Sequence, residues 1–384
     1  MGYSKPLPHE LDSFRQMGDP VADEVIQRMN QDPGRPDVRA LFSRLIDQVD
    51  IPSQELPSSL LEMVQELRIP EWADQTLIRK SEEIFRRHGP RILLVLYFKS
   101  LPTLYACARG AEVLLHTGRL TRTGSDSQIF ARRIAETGKF MISVCGPNGL
   151  QNGGLEVIAK VRLIHASVRS FVQRGNWNKN EMGVPINQED LAVTLQTFSS
   201  SVIDGLEASG IRLSADERHA FMHHWKIVGT CLGVHPDLIP DSYHQGCELR
   251  DLILKRQVAP SEGGASLTHA LVLFTAPFFP KRLGRPSMWI IDYFIEDELA
   301  QAIDLKSNLP WYLRFLPETL RKLFSWTERV LQRNKDLQGI MDRLSYLLTN
   351  GMIGFFNLYD TRFFKFPNAL RMEWKIEAKD QDNE

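Results

Sequence analysis

The segment between residues 155 and 233 constrains the fold most, because it contains three helical patterns with well-marked ends. Apolar residues recur every three to four positions from Leu155 to Gln173, the spacing of one buried helical face. Asn187 and Ser214 are predicted N-caps of two further helices, which are expected to end at Gly210 and Gly233. No segment of the chain shows sustained alternation of apolar and polar residues, so the sequence predicts an all-α fold.

The composition allows a large core and gives no indication of a nucleic-acid partner. With 384 residues and 43% hydrophobic content, the chain is long enough to form one large helical domain. Lysine and arginine together number 46 against 47 acidic residues, which predicts neither nucleic-acid binding nor strong attraction to anionic membranes. The four cysteines are widely spaced without a CxxC pair, which indicates neither a zinc site nor a disulfide framework.

The distribution of apolar residues predicts a cytoplasmic protein. The first 30 residues are charged throughout and contain no apolar leader segment. The longest apolar runs, at 92–98 and 270–279, are far shorter than the ~20 residues that a membrane-spanning helix needs. The sequence leaves open whether the protein binds peripherally to a membrane surface.

Four polar residues stand in segments that otherwise have the pattern of core helices, namely Arg162, His165, His223 and His224. Burying an imidazole costs free energy unless a partner bonds it, so these histidines are either satisfied structural groups or ligands of a cofactor. His165 lies on the apolar stripe of the 155–173 helix and is the first candidate ligand. The alternative for His165 is a core histidine bonded to a backbone carbonyl.

A second candidate site is the pair His219 and His223, which stand one helical turn apart, as metal-binding histidines on a helix often do. No acidic or cysteine ligand nearby completes a set. His224 points about 100° away and cannot share that face. The alternative is a solvated His219, with only His223 buried.

Charged residues near His165 extend the candidate site. Arg162 and Arg169 flank His165 at i−3 and i+4, and they are either surface cations or a clamp for a cofactor carboxylate. Glu136 is either a buried acid or base or part of a solvated face. GxGxxG, Walker, GxSxG and HExxH motifs are absent, which removes the commonest nucleotide-binding and hydrolase classes.

Several of these segments together resemble one family, the MpaB-type oxygenase domain, which also includes rubber oxygenase. The resemblance is strongest for RLIHASVR at 162–169 combined with GVPINQEDL at 183–191. It continues in HHWKIVG at 223–229, and upstream in LLHTGRL at 114–120 and ARRIAETGKF at 131–140. The resemblance covers roughly residues 85–260.

The resemblance implies a globin-like helical core that holds haem b and uses O₂ to oxidise a small lipophilic, isoprenoid-like substrate. Arg162 and His165 match the helix on the distal side of the haem, where rubber oxygenase has a lysine in place of His165. The proximal histidine of that enzyme corresponds by spacing to Gln196. The resemblance therefore leaves His165 and His223 as the iron ligands, with Arg162 or Glu136 steering protonation.

The same resemblance suggests a division of the single domain into three parts. Residues 1–84 are expected to form an N-terminal helical extension, residues 85–260 the oxygenase-like core, and residues 261–384 a C-terminal helical part of the same domain. Three other functions stay open: a haem sensor or carrier, a haem-free helical interaction protein, and a non-haem metal site at His219 and His223. Gln196 is the reason for keeping the haem-free alternative.

Overall fold

The computed structural model of the chain describes residues 3–31, 66–116, 126–276, 285–306 and 335–357, together with residues 62, 63, 321, 322 and 326. Within these ranges all regular structure is helical, apart from one isolated bridge between Cys107 and Val258. The prediction of an all-α fold is therefore confirmed.

Sixteen α-helices are present in the described residues. The first eight are α1 (Glu10–Arg15), α2 (Pro20–Gln31), α3 (Gln75–Val95), α4 (Leu101–Ala106), α5 (Ala108–His116), α6 (Asp126–Cys145), α7 (Leu155–Arg174) and α8 (Lys179–Met182). The others are α9 (Gln188–Phe198), α10 (Ser200–Ala208), α11 (Ala215–Cys231), α12 (Tyr243–Gln257), α13 (Glu262–Thr275), α14 (Pro286–Phe294), α15 (Asp297–Ala302) and α16 (Lys335–Asn357).

The helices form one large domain around a continuous apolar interior. The main core cluster joins α1, α3, α6, α7 and α9 to α12, and smaller clusters bury α2 against α7 and α13 against α4 and α5. Because α3 runs from Gln75 to Val95, it crosses the expected boundary between residues 84 and 85. The division of the domain into three parts stays a prediction.

The predicted helix starts around the candidate site are present. The Asn187 side chain accepts a hydrogen bond from the backbone N–H of Asp190 at 3.0 Å, which caps α9. Ser214 and Glu217 form a reciprocal capping box at the start of α11. The helix predicted from residue 155 forms as α7 and ends at Gly175.

Two helical patterns that are continuous in sequence are interrupted in the structure. The pattern that begins at Leu101 is broken at Cys107, and the helix predicted from Asn187 towards Gly210 is broken at Ser199, where φ is −112° and ψ is −87°. The Ser199 hydroxyl donates to the carbonyl of Leu195 at 2.8 Å, and such back-bonding by serine bends helices.

The glycine-rich segment 146–154 contains a π-helical turn, Leu150–Gly154. Residues 317–333 also have a sequence typical of a helix, and most of them lie outside the described residues.

Among the described helices, none is both long and apolar enough to cross a lipid bilayer.

Candidate functional site

A cavity of about 370 Å³ lies between α4, α5, α6, α7, α9 and α11. That volume is within the range of about 300 to 1,000 Å³ that is typical of small-molecule sites. Most of the residues that line it are apolar, and they include Leu104, Val113, Leu114, Phe140, Val161, Ile164, Val168, Val193, Phe198 and Trp225. The cavity is therefore suited to a lipophilic ligand.

His165 brings an imidazole to this cavity from α7. It is the only histidine among the described residues that line the cavity, and its side chain is half-buried. Val161, Ile164 and Val168 surround it on the same helix and also line the cavity. An imidazole set in an apolar wall can bind a metal or a proton where water is largely excluded.

Two acidic residues, Glu136 of α6 and Asp190 of α9, also line the cavity. The carboxylate of Asp190 accepts hydrogen bonds from the side chains of Arg15 at 3.3 Å, Gln257 at 3.2 Å and Asn187 at 2.9 Å. Burial raises the pKa of Asp190 above its usual value, although Arg15 and Gln257 oppose the shift. Glu136 is buried, with 8% of its surface exposed. The cavity thus combines an apolar interior with groups that can bind or release protons.

Sequence reasoning selected Glu136 but missed Asp190 as a cavity residue. In the sequence, Asp190 has the pattern of an N3 residue in the first turn of α9, where a carboxylate suits the helix dipole. Helical phase could have identified it, because Asp190, Thr194 and Phe198 recur every four positions and all line the cavity. Cys107 also lines the cavity, and burial raises the pKa of its thiol, so the group is a neutral thiol at ordinary pH.

Arg162 is held away from the cavity by Asp19. Its guanidinium donates from Nε to Asp19 Oδ2 at 2.7 Å and from Nη2 to Oδ1 at 2.8 Å, while Nη1 donates to the carbonyl of Cys231 at 3.3 Å. Gly233 permits this pair, since its φ is +76° and a Cβ would lie 2.7 Å from both Arg162 Nη2 and Asp19 Oδ2. The Nε–Nη2 edge of the guanidinium is therefore committed to Asp19, and Nη1 to the Cys231 carbonyl.

Arg169 forms a second, parallel contact between α7 and α2. Its Nε donates to Asp23 Oδ1 at 2.7 Å, and its Nη1 donates to the carbonyl of Ile186 at 3.0 Å. Burial raises the pKa of Asp23, and Arg169 opposes that shift. Neither Arg162 nor Arg169 lines the cavity. Both instead bind carboxylates near the N-terminus, Asp19 and Asp23.

Gln196 lies on the face of α9 that is turned from the cavity. Its Oε1 accepts a hydrogen bond from Ser199 Oγ at 3.2 Å and lies 2.6 Å from where a Cβ on Gly246 of α12 would be. Val193, Thr194 and Leu195 line the cavity, whereas Gln196 does not. The amide is therefore part of the contact between α9 and α12.

His223 and His219 lie on the outer part of α11, away from the cavity lining. His223 Nε2 accepts a hydrogen bond from the backbone N–H of Asp74 at 2.9 Å, and its ring meets Trp72 edge-on. Burial lowers the pKa of His223, and the neighbouring His219 adds to this shift. The ring centroids of the two histidines are 6.5 Å apart, and no group of three metal-binding side chains occurs in the described part of the chain.

His224 is fully buried in the core. Its Nε2 donates to the carbonyl of Val144 at 2.8 Å, and its Nδ1 has no hydrogen-bond partner among the described residues. His224 is thus a structural core histidine bonded to a backbone carbonyl, one of the two roles that the sequence left open for these histidines. Burial lowers its pKa to about 4, so the ring is neutral at physiological pH.

The buried His224 predicts a loss of stability in acid. In the unfolded chain the imidazole pKa is about 6.5, so between pH 6.5 and about 4 the unfolded state binds a proton that the folded state does not. The contribution of the neutral ring to the free energy of unfolding is fully present above pH 6.5. It falls by about 3 kcal/mol as the pH approaches 4. Urea unfolding at pH 7 and pH 4.5 measures this loss. His224→Gln keeps an N–H donor and removes the titration, so we expect it to lose less stability than the wild type; an equal loss would contradict the assignment.

With this geometry described, comparison with known proteins identifies the family. The family described as "ER-bound oxygenase mpaB/B'/Rubber oxygenase, catalytic domain" matches residues 91–341, well over half of the chain. The chain belongs to this family. The MpaB and rubber oxygenase family is a family of oxygenases, and all the cavity-lining residues fall inside the matched region.

Two relatives of this MpaB-type chain illustrate the likeness. The rubber oxygenase of Streptomyces sp. (strain K30) is 25% identical over 260 residues, which cover 66% of this chain. The aligned region spans 61% of the length of that curated relative. The solved structure of latex clearing protein LCP in the closed state matches with a TM-score of 0.66 at 21% identity, covering 86% of this chain and 91% of that one. The structural match shows that the two proteins share a fold.

Proposed function

We propose that the protein is a haem b-dependent oxygenase that oxidises a small lipophilic substrate with O₂. The observation that carries the proposal is a single imidazole, His165, in the wall of a largely apolar cavity within an oxygenase-family domain. Rubber oxygenase, the curated relative, is an oxygenase by name. A substrate with isoprenoid character would suit the aliphatic and aromatic walls of the cavity.

The residues of the cavity fit a haem in its two main requirements. An imidazole is a common ligand of haem iron, and His165 would supply one. Apolar side chains such as Phe140, Phe198 and Trp225 suit the flat porphyrin. No arginine or lysine occurs among the described residues that line the cavity. Arg162 and Arg169, bonded to Asp19 and Asp23, are therefore assigned to the fold rather than to the haem carboxylates.

The side chains of this chain would divide the work around the cofactor. The haem would supply the activation of O₂, which is chemistry that amino-acid side chains lack. His165 would bind the iron and orient the cofactor. Glu136 and Asp190 would hold or deliver a proton at the carboxylate oxygens, and Asp190 is suited to this because burial raises its pKa. The apolar walls would hold the substrate and exclude water.

Two of the competing functions depend on residues outside the cavity. A two-histidine haem carrier needs a second imidazole, and His223 contacts Asp74 and Trp72 instead of the cavity. The haem-free interaction protein rests on Gln196, whose amide packs against α12. We therefore favour a haem with His165 as its one histidine ligand.

An absorption spectrum of the purified protein with a pyridine haemochrome assay tests the proposed cofactor. We expect about one haem b per chain after expression with adequate haem, and O₂ uptake with a lipophilic alkene. Absence of a Soret band after haem supplementation would overturn the proposal and favour the haem-free protein. A spectrum of haem with two histidine ligands, without substrate turnover, would favour the sensor or carrier.

A further inference from the structure

The polar and apolar faces of helix α16 are placed opposite to the usual arrangement. Its polar side chains lie on the face that packs against α3. Asp342 is 4% exposed and pairs with Arg86 Nη2 at 3.0 Å. Ser345 Oγ donates to the backbone carbonyl of Arg87 at 2.8 Å. Thr349 is fully buried and lies directly against Gly89, where a Cβ would be 2.3 Å from its hydroxyl. This helix is therefore held to the domain by polar contacts.

The opposite face of α16 presents a continuous apolar stripe to solvent. Ile340, Leu344, Leu347 and Leu348 are 63%, 45%, 66% and 53% exposed, and Met341 is also exposed. At 100° per residue these five side chains fall within about 120° of the helix circumference, the width of a stripe that normally faces a core. A contiguous group of exposed apolar side chains is typical of a surface that binds a protein, a ligand or a membrane.

A groove of about 210 Å³ runs beside this stripe, between α16, α3 and the start of α11. Met341, Leu344 and Leu348 line both the groove and the stripe, so the two form one surface. The other side of the groove carries Arg87, Arg91 and Arg212. Glu217 and Asp342 also line the groove and pair with Arg87, so apolar side chains face a mixed but arginine-rich wall across the opening.

A buried histidine lies at the groove. His88 is 3% exposed and lines the groove, and its Nδ1 has no hydrogen-bond partner within the described part of the chain. A buried polar atom without a partner is rare in folded proteins. A polar group that enters the groove could satisfy it.

The local charge of this region is positive although the chain as a whole is nearly neutral. Arg343 is exposed beside the stripe, and Arg86 is partly exposed at its edge, so five arginines surround the surface. Three carboxylates, Asp342, Glu217 and Glu207, pair with Arg86, Arg87 and Arg212 and neutralise part of this charge. The expectation of weak attraction to anionic membranes rests on the net charge of the whole chain and does not take the charge of this surface into account.

We propose that the stripe and groove of α16 dock the protein onto the surface of an anionic phospholipid bilayer. The leucines would enter the boundary between headgroups and acyl chains, and the arginines would bind lipid phosphate or carboxylate groups. The contact is peripheral, since none of the described helices can cross a bilayer. A second copy of the chain fits the surface less well, because pairing the two stripes would also bring two arginine-rich grooves together.

Co-sedimentation of the full-length chain with lipid vesicles tests this docking. We expect binding to vesicles of equal parts phosphatidylcholine and phosphatidylserine, and little binding to phosphatidylcholine alone. Leu347→Glu is expected to weaken binding at least ~10-fold, because it places a carboxylate in the stripe. Arg343→Glu is expected to weaken binding ~30-fold, since it reverses one charge at the anionic surface.

Matched controls use residues that are exposed elsewhere on the molecule. Leu7→Glu and Lys5→Glu change side chains that are 55% and 46% exposed, and both variants should bind like the wild type. Unchanged thermal melting would show that all four variants are folded. Failure of the wild type to bind anionic vesicles, or equal binding by Leu347→Glu, would overturn the proposal. A lipid-free dimer that Leu347→Glu converts to a monomer would identify a second copy as the occupant instead.

Discussion

His165→Ala is expected to reduce haem content at least ~10-fold, the largest functional effect of any single substitution in the cavity. The reason is that His165 supplies the only histidine nitrogen among the described cavity-lining residues, so its removal leaves no second imidazole nearby to replace it. The pyridine haemochrome assay on protein expressed with added haem measures this loss. Imidazole added to the buffer should restore a Soret band, because the truncated side chain leaves a space of matching shape.

His223→Ala is the matched control for this loss. His223 is half-buried like His165, but it contacts Asp74 and Trp72 on the far part of α11. The sequence analysis offered both histidines as ligands, whereas our proposal gives this role to His165 alone. We therefore expect His223→Ala to keep its haem. Full haem occupancy in His165→Ala, or loss of haem in His223→Ala alone, would contradict this assignment.

Local sequence patterns predicted the helices that surround the candidate site. The cap residues Asn187 and Ser214 and the helical stripe around His165 all depend on neighbours within a few positions of the chain. Helix propensity, capping and periodicity act over that range, so a single sequence is sufficient to read them. For the same reason the all-α class could be predicted without knowledge of any tertiary contact.

The partners of the buried polar groups could not be predicted in this way. Asp19 is 143 positions from Arg162, and the carbonyl of Val144 is 80 positions from His224. Nothing in the local pattern distinguishes an arginine that turns to a cofactor from one that turns to a distant carboxylate. Gln196 is a different case, because counting along the helix from Thr194 already predicts that its side chain points to another face.

The breaks at Cys107 and Ser199 were also missed, since neither residue is a strong helix breaker. At Ser199 the deciding interactions are back-bonding to Leu195 and the contact of Gln196 with its hydroxyl. The same Gln196 amide also lies against Gly246 of α12. Tertiary context therefore overrides a helical pattern that is continuous in sequence.

Asp19→Ala is expected to destabilise the fold by about 3 to 5 kcal/mol, the cost of leaving a buried charge without its partner. Asp19 and Arg162 are 3% and 8% exposed, and the two groups form a two-point ion pair at 2.7 and 2.8 Å. Removal of the carboxylate leaves the guanidinium buried with only the Cys231 carbonyl. Urea unfolding at neutral pH measures the change in the free energy of unfolding.

Glu24→Ala provides the comparison, since the Glu24 and Arg28 side chains are 59% and 56% exposed and solvent can replace their ion pair. We expect a smaller loss there. In a double-mutant cycle, Asp19→Ala combined with Arg162→Leu should recover much of the stability, because no unpaired charge remains in the core. If Asp19→Ala cost no more than Glu24→Ala, the Arg162 guanidinium would have another partner or reach water. It would then be available to the cavity, and the sequence-based role of Arg162 beside His165 would regain its support.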